Sequence, residues 1–170
     1  MDPEVKAAVA DAYDVFARYR LEVGRGVDGL GPLEGRLLVT TPLREMPAQL
    51  LAVFTDSLHA WNDGKAADDL RALLPRYFEL IAEGDFPTRG EKEQTLRRLA
   101  EADCRAKWPP QEVAAIDRFF AALFNAAARQ KHEAEMAVVI GLATAAGWNA
   151  ESFPSAEQAN EGASREDESE

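Results

Sequence analysis

Apolar residues recur at steps of three and four along almost the whole chain up to Trp148, and prolines stand where several of those runs begin. Val5, Val9, Ala12, Tyr13, Phe16 and Tyr19 form the first stripe, the spacing of one helix face. Asp2, Pro3 and Glu4 precede it as an N-cap, a proline at the first helical position and an acid at the positive end of the dipole. Little in the chain favours strands. Its 170 residues include ten Val, three Ile and six Thr against abundant Ala, a balance that favours helix. The pattern predicts an all-α fold of about six helices, bundle-like or a short stack of helical hairpins, in one domain over residues 1–153.

The later helices follow from the same spacing. Pro47 opens one with Leu50, Leu51, Phe54, Leu58 and Trp61 inward, closed by the turn Asn62-Asp63-Gly64. The next, over 66–84, buries Leu70, Leu73, Leu74, Tyr77, Phe78 and Ile81. Pro75 inside it predicts a kink or two abutting helices, because proline lacks an amide donor and clashes with the preceding turn. A single helix is expected over 91–106 with Leu96, Leu99 and Cys104 inward. Pro110 then opens a long helix faced by Val113, Ile116, Phe119, Phe120, Leu123 and Phe124. A last helix from Lys131, or a continuation of the one before it, ends at Gly147, after which Trp148 and Phe153 are expected to fold back. Five glycines, at 24, 26, 29, 31 and 35, predict a loop over 24–41 with one short extended piece at Leu37-Leu38-Val39.

Residues 154–170 carry six acids, one base and no large apolar side chain, so an acidic, disordered tail is expected. The whole chain has 30 acids and 19 bases, a net charge of −11. The tail holds −5 of this, which leaves −6 on residues 1–153. That sign argues against a nucleic acid, whose phosphates are met by Lys and Arg, and against anionic lipid. The most apolar window, 136–148, is shorter than the roughly 20 residues that cross a bilayer. No membrane association is expected. The N-terminus reads as no secretory signal, and the one cysteine, Cys104, can form no intrachain disulfide. A cytoplasmic location is expected.

Three stretches carry a resemblance. They are Thr41-Pro42-Leu43-Arg44-Glu45-Met46-Pro47, the run from Asp69 to Ile81 (DLRALLPRYFELI), and Trp108-Pro109 followed by Glu112 and Phe119-Phe120. Across roughly residues 41–124 the chain resembles a group of bacterial helical proteins without an established activity. The resemblance implies a bacterial, cytoplasmic, all-helical domain and carries over no functional residue.

Candidate chemistry is sparse. A di-iron bundle needs two Glu-x-x-His pairs, and the chain has two histidines and no such pair. Asp56, His59 and Asp63, at i, i+3 and i+7, are the nearest approach to a metal or acid–base set on one helix face. The competing reading is a solvated face beside Trp61. His132, Glu133 and Glu135 read as a surface cluster, and Cys104 as a buried structural thiol. No Gly-x-Ser-x-Gly elbow or phosphate-cradling loop is present, so neither catalytic residues nor a cofactor are expected. Arg44 and Arg76 suit structural ion pairs with Glu45, Asp69 or Glu79, and Tyr77 and Trp108 suit the core. The leading expectation is a small non-catalytic protein that binds a protein partner, as an adaptor, inhibitor or immunity-type protein. The alternative is a small-molecule or metal-binding helical protein or enzyme with its site near His59.

Overall fold

A computed structural model describes residues 1–21, 31–56 and 64–149. Among them the chain is all-α, with eight α-helices, two 3-10 turns and no strand. α1 (Pro3–Val15) begins as its sequence dictates, with the Asp2 carboxylate accepting from the Glu4 amide at 2.9 Å. α2 (Pro32–Thr40) and a 3-10 turn at Leu43–Glu45 lead to α3 (Ala48–Asp56) and α4 (Gly64–Ala82). A second 3-10 turn (Lys92–Leu96) and two short helices, α5 (Arg98–Glu101) and α6 (Cys104–Lys107), precede α7 (Pro110–Arg129) and α8 (Glu133–Ala145).

α7 is the central element. It packs on α1 and α8, α1 also lies against α4, and α8 covers the Lys92–Leu96 turn. Phe78 of α4 and Phe119 of α7 are both fully buried and stack with ring centroids 3.9 Å apart. Phe120 lies beside Trp148, which does fold back after Gly147, whose φ of +90° lets the chain reverse at the end of α8.

Two expectations are corrected and a third is narrowed. Residues 32–40, read as part of a loop, form α2. Glycines 24, 26, 29 and 31 all precede Pro32, so the helix contains only Gly35. Pro32 at its start and Glu34 in the first turn are ordinary helix-opening signals. Of the two outcomes expected at Pro75, the pair of abutting helices is not found: α4 runs as one helix through it. Leu73, Leu74, Tyr77 and Phe78 are buried on both sides of the proline and hold the turns together. The single helix expected over 91–106 is three short pieces. Thr95 Oγ1 bonds back to the Lys92 carbonyl at 2.7 Å in the first, and Asp103 stands at φ +51° between α5 and α6. Leu96, Leu99 and Cys104 nevertheless point inward. The part of the glycine-rich loop at 24–29, the Asn62-Asp63 turn, Phe153 and the acidic tail at 154–170 lie outside the described residues.

Candidate functional site

Asp56 ends α3, and its Oδ1 takes Arg97 Nη2 at 3.2 Å. His59 and Asp63 lie outside the described residues. Among the described residues, no three His, Cys, Asp or Glu side chains stand where they could hold a metal ion. His132 Nδ1 pairs with Glu135 Oε1 at 3.1 Å at the exposed start of α8, so that cluster is a solvated surface. Cys104 is buried. Its burial pushes the thiol up to about 12, and Asp103 adds to the rise. A thiol in that state is a poor nucleophile.

The strongest polar constellations are two glutamates held by arginines. On α4, Glu79 accepts from Tyr13 OH at 2.7 Å and from Arg76 Nη1 at 2.6 Å, with Arg44 Nη1 at 3.5 Å. The Arg44 guanidinium lies over the Tyr13 ring, 3.7 Å from its centroid, and Arg76 Nε caps the Met46 carbonyl at 2.9 Å. Burial alone would push the Glu79 carboxyl up. The Tyr13 and Arg76 hydrogen bonds and the two arginine charges outweigh burial and hold it below its ordinary value. The Tyr13 hydroxyl is pushed up by burial and by the same carboxylate. Both arginines thus make the structural ion pairs that the sequence suggests.

The second constellation centres on Glu112, in the first turn of α7 and 0% exposed. Its Oε2 takes Arg71 Nε at 3.0 Å, while Oε1 accepts from Tyr19 OH at 2.6 Å and from Arg18 Nη2. The Arg71 guanidinium also lies 4.3 Å from the Trp108 ring centroid and bonds Asp68 at 2.7 Å. Tyr77 and Trp108 are core residues, as expected. Shut off from solvent and with a donor on each carboxylate oxygen, Glu112 clasps the end of α1 to α4 and α7. Glu112 had one readable signal: it sits four and seven residues before Ile116 and Phe119, on the apolar stripe of its own helix. Its partners had none, because Arg18 is 94 residues away.

Three surface features remain. α2 turns Leu33 (65% exposed), Leu37 (42%) and Val39 (49%) to the outside while Leu38 anchors it. A cleft of about 480 Å³ runs between the end of α1 and the Pro42–Glu45 turn, with Arg20 and Arg44 among its lining residues. A groove of similar volume, with Ile81, Phe86, Leu123 and Val138 in its walls, lies between α4, α7 and α8. No helix among the described residues is long and apolar enough to cross a membrane. No protein family, curated protein or solved structure matches the chain.

Proposed function

We propose that the protein is a non-catalytic interaction module that binds a basic protein through α2. The observation that carries this reading is Leu33 and Leu37, both exposed and four residues apart on one face of a nine-residue helix, with Val39 exposed on its other side. Large apolar side chains left in water at one place mark contact surfaces more often than chance placement would. The occupant follows from charge. A chain at −11 attracts and orients a cationic partner, while the apolar side chains supply contact area that is desolvated on binding. The two glutamate constellations support the same view, since each glutamate accepts from side chains of other segments and ties them together. A cytoplasmic location, and membership of the bacterial group resembled over residues 41–124, belong to this proposal, as does the exclusion of nucleic acid.

The test is a photo-reactive amino acid at position 37 in the native host, followed by affinity measurement with the purified cross-linked protein. The expected result is a basic protein whose affinity falls roughly tenfold or more in Leu33→Ser/Leu37→Ser, with an association rate that drops as salt is added. Cross-linking only to a second copy of the chain, or an affinity unchanged in the double variant, overturns the reading.

A further inference from the structure

We infer that the cleft between the end of α1 and the Pro42–Glu45 turn binds a small organic oxyanion, with a carboxylate or phosphate head on an apolar body. Two cations line it. Arg44 has its guanidinium laid on the Tyr13 ring, and its one carboxylate contact is a long one, Glu79 Oε1 at 3.5 Å, while Tyr13 and Arg76 bond the other oxygen of that group. Arg20 donates to the carbonyls of Ala17 at 2.9 Å and Tyr19 at 3.5 Å and forms no ion pair among the described residues. Both guanidiniums are therefore positioned by stacking or by backbone contacts, and their remaining donors are available. Arginine forks of this kind match the paired oxygens of a carboxylate or phosphate.

The rest of the lining selects the body. Phe16, Leu43 and Pro75 give apolar walls, and the volume of about 480 Å³ accommodates a single ring with its substituents. Glu45 is the one carboxylate among the lining residues and opposes an anion. The site is separate from α2, so it can fail without affecting the proposed protein contact.

The experiment is a titration of the intact chain with phenyl phosphate, benzoate and inorganic phosphate, followed by amide chemical shifts. Saturable shifts at residues 13–20 and 42–45 are expected for both aromatic anions, with inorganic phosphate at least about threefold weaker. Arg20→Gln/Arg44→Gln is expected to lower affinity roughly tenfold or more, and Glu45→Gln to raise it. No saturable shift, shifts elsewhere, or inorganic phosphate binding as well as phenyl phosphate would overturn the inference. Should the double variant fail to fold, Glu45→Gln decides: tighter binding supports the site and unchanged binding refutes it.

Discussion

Glu112 is where a single side chain matters most to this fold. Its carboxylate is shut off from bulk solvent and depends on Arg71, Tyr19 and Arg18. Glu112→Ala leaves the Arg71 Nε and the Tyr19 hydroxyl without their acceptor, although Asp68 still pairs with Arg71, and is expected to cost about 2–3 kcal/mol in denaturant unfolding. Arg18 is half exposed, and Arg18→Ala is expected to cost about 1 kcal/mol or less. Equal losses at the two positions would contradict the clasp. Glu79 gives a pH signature. Its carboxyl titrates below its ordinary value in the folded state, so its contribution is complete above the ordinary glutamate range and is lost as pH falls through the folded value. Stability measured from about pH 5 down to pH 2 is therefore expected to fall less steeply in Glu79→Gln than in the wild type. An identical slope would remove Glu79 from the account. At this scale the sequence was partly readable. Arg76 and Glu79 are three residues apart on one helix and could be paired by inspection. Glu112 and its α1 partners could not, because tertiary packing alone brings them together.

Among the elements, the contact between α8 and the Lys92–Leu96 turn depends on the absence of a side chain at Gly141. A Cβ placed there would stand 2.5 Å from Glu93 Cγ, which must rotate away about χ1, and 3.1 Å from its Cβ, which only a shift of the turn itself can relieve. Gly141→Ala is thus expected to destabilise by about 1 kcal/mol or more, although alanine is the better helix former by about as much. Thermal unfolding checks this, and a stabilised variant would show that the two elements do not meet as described. The elements legible from sequence were those with long apolar stripes. α1, α4, α7 and α8 all fall close to where the three- and four-residue spacing places them. The illegible ones were short. α2 was obscured by glycines that precede it. The 91–106 region broke up because a left-handed Asp103 and a side-chain bond at Thr95 interrupt a pattern whose inward residues are still inward.

For the molecule as a whole, the all-α class followed from composition and period alone, since a chain this poor in β-branched residues has little with which to build strands. The candidate site was far less legible. Sequence reasoning pointed to Asp56, His59 and Asp63, of which only Asp56 is described, and there it serves an ion pair with Arg97. It gave no hint of α2 as a surface, because Leu37-Leu38-Val39 reads equally well as buried strand or helix. Exposure is a property of the assembled fold: Leu38 faces inward and its two neighbours do not. If the outer residues serve a partner, the isolated fold gains little from them. Equilibrium unfolding of Leu33→Ser/Leu37→Ser tests this most directly. The account predicts a stability within about 1 kcal/mol of the wild type, the sum of two surface substitutions in a helix. A loss of about 2 kcal/mol or more would place those leucines in the core and contradict it.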